Sequence, residues 1–524
     1  MATSSGPGQT AISPDATAVP KNIRWVLLGV LLAMLLSQLD GLIVGTAMPT
    51  IVRDIGGLDH MSWVVTAYTL TTACSTPVWG KLGDLFHRKS LFLGSIVVFL
   101  LGSVLSGMAS TMGELIGFRA LQGIGAGGMM AGAFALIGVL LPPRERGRYQ
   151  GMVAIVQAVG SVGGPLAGGL ITGHLGWRWA FYVNVPIGLV CIVWCAALLH
   201  VPQAARRGRV VIDWAGITVM TAMITALVML ATWGGSTYAW GSAQILGLAA
   251  VVLVLLAAFI VSERRTAEPL LPLRIFTGQR NFPIAAVLLT VAGVAMFGAT
   301  LYLPLYQQTV QGASASNSGL LLLPMMCGTV AASMIAGKVM SRTGKYKIFP
   351  VIGAASLAVG MGLLSTMDTS TARLTTSVYM VLVGIGTGFT IQMANTIAQN
   401  SVELRDMGAA SAATNLFRTL GGSLGVAVFG SLFTRALAGH GGGAPSEGGS
   451  GGSATEHMSH AAREAYLQAA AHGTQEIFLV GALCAVAALV SALCIKETPL
   501  RAGPGQPAKP ATDDSAPAAV GATS

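Results

Sequence analysis

Asp40 stands in "SQLDGLIVG" (37–45), the only charge in a long apolar run. An ionised carboxylate at mid-bilayer costs at least about 2.5–3.5 kcal/mol on insertion scales. Holding a proton or pairing with a cation relieves that cost. The cation available is Arg119, in a later apolar run. At 1.5 Å per residue, Asp40 lies roughly 13 Å and Arg119 roughly 6 Å inside the corresponding ends of their runs, a gap an arginine side chain covers if the two helices are neighbours. Two readings are open. In the first, proton binding to Asp40 releases Arg119, so that ion occupancy biases which face of the protein is open. In the second, the pair is static and fixes helix register.

A second set of polar residues stands on otherwise apolar runs: Gln157, Tyr302, Tyr306, Gln307, Gln392, Asn395, Asn415 and Arg418. Singly, each reads as a helix–helix hydrogen bonder. Together they outline a mixed polar and aromatic cavity suited to a small molecule that is amphipathic or aromatic. A third feature is "GSVGGPLAGG" (160–169), with Gly160, Gly164, Pro165, Gly168 and Gly169. Proline removes a backbone hydrogen bond and bends a helix, and glycines let a neighbouring helix come close. A packed bend and a part in alternating access both fit.

The elements that must position these residues are membrane helices. Of 524 residues, 53% are hydrophobic and 10% charged, and the mean hydropathy is +0.69. Soluble domains carry about 25% charged residues. Fourteen apolar runs, each able to cross a hydrocarbon core of about 30 Å as a helix, recur along the chain. The expected fold is all-α and integral to the membrane. Its parts are a disordered N-terminus (1–22), a six-helix bundle (23–200), two linker membrane helices (201–282), a second six-helix bundle (283–498) with a long outer loop (435–473), and a disordered tail (499–524). With the N-terminus inside, inner segments hold 22 Lys and Arg and outer segments 5. The positive-inside rule then places both termini in the cytoplasm of a plasma membrane. The net charge of +10 thereby reads as membrane orientation and not as nucleic-acid binding.

"GKLGDLFHRK" (80–89) follows the second run and "GKVMSRTGKY" (337–346) the tenth. One basic loop recurring at matching places in two halves marks a transporter built from repeats. The seventh and eighth runs then form an insert between the halves, and their uniform apolarity reads as lipid-facing filler. The six cysteines form no C-x-x-C pair and read as small buried hydrophobes. His440, His457, His460 and His472 match no metal-ligand spacing and read as loop histidines. "GIGAGG" (123–128) follows no strand, which argues against dinucleotide binding. "GGSLG" (421–425) and "GGSGG" (448–452) lack a strand–turn–helix elbow. There is no P-loop, no cofactor is implied, and no obligate protein partner is evident. Energy comes from an ion gradient, and neither a polar catalytic cluster nor a sizeable cytoplasmic domain suggests an enzyme or sensor.

Taken together, these residues resemble the major facilitator superfamily, and within it the fourteen-span drug:proton antiporters (EmrB/QacA-like). "GKLGDLFHRK" resembles the superfamily's loop motif, with Gly80, Asp84, Arg88 and Lys89 in place. "RALQGIGAGG" (119–128) is similar to the motif whose arginine, here Arg119, is linked to proton transfer. "LDGLIVGTAMP" (39–49) resembles the motif carrying the proton-linked aspartate, and "GSVGGPLAGG" that of exporters. "WRWAFYVNVPIG" (177–188) is similar to the fourteen-span branch in particular. The resemblance implies two six-helix bundles plus two central helices, with the loop's acid and bases gating the inner face. It also implies proton-driven export of a small organic molecule, with drug or antibiotic resistance as the outcome. Departures are His87 in the loop, Leu42 and Gly45 beside Asp40, and Ser341 where the second loop has no acid. The alternative is a proton-linked transporter of a metabolite. A composition rich in Ala, Gly and Arg points to a bacterial source.

Overall fold

A computed structural model describes residues 22–57, 60–141, 143–201, 213–234, 238–266, 269–278, 280–313, 321–403, 406–439 and 460–499. The expected disordered ends, apart from residues 22 and 499, lie outside the described residues, as do the glycine-rich stretch 440–459 and its histidines His440 and His457.

The described chain is helical. Its helices are α1 (Ile23–Ile55), α2 (Met61–Leu85), α3 (Arg88–Met108), α4 (Met112–Leu140), α5 (Pro143–His174), the single turn α6 (Trp179–Tyr182), α7 (Asn184–Leu198), α8 (Trp214–Trp233), α9 (Ala243–Arg265), the single turn α10 (Arg274–Thr277), α11 (Asn281–Thr309), α12 (Leu323–Thr343), α13 (Ile348–Leu364), α14 (Arg373–Asn400), α15 (Met407–Gly439) and α16 (His460–Leu493). Twelve helical segments among the described residues are long and apolar enough to cross a membrane, against the fourteen expected. The two that fall short are α2, which is rich in Thr and Ser, and α13, which has 17 residues. The outer loop is also shorter than expected, because α15 runs to Gly439 and α16 starts at His460.

The acids at helix ends have structural work. Thr111 and Glu114 form a reciprocal capping box on α4. Asp213 accepts from the Gly216 N–H at 2.8 Å and caps α8.

The two halves repeat one packing plan. In the first, α1 packs on α5 and α7, and α4 on α2 and α3. In the second, α11 packs on α15 and α16, and α14 on α12 and α13. Glycine makes the closest crossings possible, because lipid offers no water to expel and contact must supply the attraction. A β-carbon on Gly123 or Gly127 would collide with the α2 backbone, and one on Gly125 with α3. A β-carbon on Gly384 or Gly388 would collide with α12, and one on Gly386 with α13. "GIGAG" (123–127) and "GIGTG" (384–388) are thus the same packing device used twice.

The halves meet along two seams, α2 against α15 and α5 against α12. At the first seam α8 is wedged in. Its Met220 and Ile224 are fully buried, and Cys74 of α2 lies 3.8 Å from the Thr221 carbonyl and 3.9 Å from the Thr225 hydroxyl. This corrects the reading of the insert as lipid-facing filler. It holds for α9, whose Leu253 and Val254 are exposed, but not for α8. An apolar helix surface reads the same whether lipid or protein covers it. The second seam carries an apolar groove of about 650 Å³, lined by Ala158, Val159, Gly163, Met326, Cys327 and Met334.

Candidate functional site

Asp40 and Arg119 meet, and both are fully buried. Arg119 Nη1 donates to Asp40 Oδ2 at 2.5 Å and to Gln122 Oε1 at 2.8 Å. Asp40 Oδ1 accepts from Gln122 Nε2 at 2.8 Å and from Asn184 Nδ2 at 2.7 Å. Asn184 also donates to Ser103 at 2.8 Å. The guanidinium lies 4.0 Å from the centre of the Tyr68 ring, and the Tyr68 hydroxyl donates to the Ser37 carbonyl at 3.0 Å. Three amide and guanidinium donors around one carboxylate satisfy its ionised form without water. Nε and Nη2 of Arg119 meet no acceptor among the described residues. The motifs quoted for Arg119 and for residues 177–188 contained Gln122 and Asn184, but as neutral residues they did not stand out as the lone charges did.

The glycines of the exporter motif hold α1 in place. A β-carbon on Gly160 would lie 2.6 Å from Gln38, one on Gly164 2.7 Å from Leu42, and one on Gly168 2.8 Å from the Ile43 carbonyl. This four-residue spacing forms a ridge that lies along the helix bearing Asp40. Gly169 faces open space. The helical backbone of α5 continues through position 165; the side chain of Pro165 lies outside the described ones.

The loop motif spans the α2–α15 seam. Asp84 Oδ1 and Oδ2 each accept at 3.0 Å, from the N–H groups of Gly408 and Ala409 in the first turn of α15. Arg88 Nη2 donates to Asp84 Oδ1 at 2.6 Å. The positive end of the α15 dipole favours that carboxylate. A β-carbon on Gly80 would lie 2.7 Å from Ala412 Cβ and 2.8 Å from the Gly408 carbonyl, so only glycine permits this crossing. Lys89 Nζ donates to the Ala196 carbonyl of α7 at 2.6 Å. In the second loop, Ser341 bonds only to the Lys338 carbonyl of its own helix, and Gly344 closes α12 with φ +71°. Among the described residues, Asp84 thus ties α2 to α15 at the end of the bundle that carries these basic loops.

At the opposite end, Asp54 accepts from the Trp177 indole at 2.9 Å and Arg178 at 2.7 Å. The indole N–H and then the guanidinium hold its carboxyl below the usual carboxylate range.

The eight polar residues do not gather into one group. Tyr302, Tyr306 and Gln307 are buried in the second half's core. Tyr302 packs on Phe429 and Phe433, and Tyr306 donates to the Asp368 carbonyl at 2.6 Å. Gln392 and Asn395 of α14 and Asn415 and Arg418 of α15 lie on two adjacent levels where these helices pack. Gln399 Nε2 donates to Ser411 Oγ at 3.5 Å and sets the level of these antiparallel helices. Seven residues further along each helix, Gln392 and Arg418 share a depth, and four residues along, Asn395 and Asn415 do. Gln157 of α5 is partly exposed.

Two pseudo-equivalent helical halves, a buried charge pair and a seam locked at one end define a transporter and not an enzyme. The major facilitator superfamily model matches residues 30–426, and the chain belongs to that family. It is 41% identical over 493 residues to an uncharacterized MFS-type transporter of Mycobacterium tuberculosis, covering 93% of this chain and 71% of the relative. It is 37% identical over 404 residues to the multidrug transporter protein MdtP of Bacillus subtilis, covering 77% and 74%. The fold matches the human organic anion transporter MFSD10 at a TM-score of 0.59 and 12% identity, covering 88% of this chain and 99% of that one. It matches the proton:xylose symporter XylE at 0.59 and 14%, covering 89% and 95%.

Proposed function

We propose that this multi-pass transporter exports amphipathic or aromatic small organic molecules in exchange for protons. In this reading α2 and α13 also cross the membrane, which gives fourteen passages and the drug:proton antiporter branch. Both termini then lie in the cytoplasm, the basic end faces inward, and resistance to a drug or antibiotic is the outcome. The carrying observation is the buried Asp40–Arg119 pair with Gln122 and Asn184. Protonating Asp40 removes the attraction for Arg119 and leaves that cation without a counter-charge in a water-poor site. The stored imbalance drives rearrangement between inward and outward states. The name of MdtP and that of multidrug resistance protein 3 of Bacillus subtilis, 37% identical over 418 residues, support export as the direction.

The test is a drug-susceptibility panel on cells expressing wild type or Asp40→Asn, with proton release followed in everted vesicles on substrate addition. Protection and proton release by wild type only is expected. Equal behaviour of both proteins would remove the proton role of Asp40. Wild-type protection against nothing in the panel would return the reading to metabolite transport.

A further inference from the structure

The two arginines deep in the spans, Arg119 and Arg418, are matched very differently. Arg119 has a carboxylate and the Gln122 carbonyl oxygen; Arg418 has one neutral partner, the Asn415 Oδ1 at 2.8 Å. No carboxylate lies within 4 Å of Arg418 among the described residues. Nor does any acid occur in the apolar runs 283–308, 317–339, 348–367, 374–398 or 408–434. Arg418 lies 11 residues, about 16 Å, into α15 from the Asp84 end, near mid-bilayer. It is partly exposed. Its stripe on α15 includes Ser411 and Asn415, which are buried, and Ser411 bonds to α14. On the other flank, Gly293 of α11 comes up against the Arg418 carbonyl. Arg418 thus stands where α15 packs against α11 and α14.

A second observation points to the same place. Asn395, 6% exposed, shares the depth of Asn415 and hydrogen-bonds to no side chain or backbone group among the described residues. With no partner in the protein, its amide is open to hydrogen-bond with a bound molecule. Asp40 cannot supply the missing charge, because its oxygens are taken by Arg119, Gln122 and Asn184.

We infer that Arg418, with Asn395 and Asn415 about 4.5 Å nearer the Asp84 end, binds the anionic group of the cargo, so that this transporter selects amphipathic carboxylates or sulfonates over cations. The inference rests on the export reading and names its substrate class. Arg418 takes one carboxylate oxygen and the Asn395 amide the other. Mid-bilayer depth sets this site apart from one for lipid headgroups.

The test uses full-length protein in phosphatidylcholine nanodiscs and three probes sharing one hydrophobe: pyrenebutyrate, pyrenebutanol and pyrenylmethyl-trimethylammonium. Binding is measured by equilibrium dialysis against empty nanodiscs. Wild type is expected to bind the carboxylate at least about tenfold more tightly than either other probe. Arg418→Gln loses that margin while keeping the alcohol, and Arg418→Lys keeps most of it. Equal binding of all three by wild type, preference for the ammonium, or no binding of the carboxylate overturns the inference, whatever the variants do. Displacement of pyrenebutyrate by added phosphatidylglycerol assigns the site to a lipid headgroup and also overturns it. Transport by the same protein in vesicles is read separately. Carboxylate preference without export would sink the export reading alone, and export of the ammonium without carboxylate preference would sink this one alone.

Discussion

The two halves share one helix-packing plan and carry opposite electrostatics. In the first, a carboxylate and a guanidinium neutralise each other behind a screen of amides and a tyrosine ring. In the second, a lone guanidinium rests on one asparagine. The loops differ in the same way: Asp84 reaches across to α15, whereas Ser341 stays on its own helix. Duplication supplies the frame twice, and each copy is then charged for a separate task. A pair satisfied within the protein suits a proton switch; a charge left over suits a ligand.

The sharpest way to break that comparison is to orphan Asp40. Arg119→Ala leaves a fully buried carboxylate without its cation and is expected to cost about 3–5 kcal/mol, read as a fall in the unfolding midpoint in detergent. The double variant Asp40→Asn/Arg119→Ala recovers part of the loss; no recovery would mean that packing, not charge pairing, sets the cost. Next in size, Asp84→Asn removes the charge from two hydrogen bonds to the α15 N-terminus. It should weaken the closed basic end by roughly 1.5–3 kcal/mol, seen as faster thiol labelling of a cysteine placed at Ala412. Arg418→Gln completes the contrast with Arg119: losing a cation bound to one neutral amide is expected to move the unfolding midpoint by under about 1 kcal/mol. A loss as large as that of Arg119→Ala would show that Arg418 holds structure and not cargo.

The smallest effect is expected at Asp54. Its carboxyl is held below its unfolded value by Trp177 and Arg178, so its contribution is present above the ordinary aspartate range and fades as pH falls through the lowered folded value. Asp54→Asn should therefore lower the unfolding midpoint slightly at pH 7 and by less near pH 3. An equal deficit at both pH values would mean that the neutral indole contact, not the charge, is what matters.

Asp40 and Arg119 were legible in the sequence because a charge in oil is rare and demands a partner. Gln122 and Asn184 were not, since a neutral amide on a membrane helix has many ordinary uses. Tyr302, Tyr306 and Gln307 looked like cavity residues for the same reason, and the fold turns the two hydroxyls to backbone carbonyls and the Gln307 amide N–H to a methionine sulfur within one half. The glycine pattern 123–128 was set aside as a nucleotide loop in the sequence, but its packing role shows only beside its twin at 384–388. The membrane-helix count depends on α2 and α13, where serine and threonine or a short length weaken the hydropathy signal.

The wedge made by α8 gives the molecule a left and a right within the plane of the membrane. On one flank, α15 packs beside a helix that meets α2 through Cys74, Thr221 and Thr225. On the other, the joint is greased by methionines and opens sideways to lipid beside Cys327. Under the export proposed above, cargo from the bilayer enters on the flank away from α8.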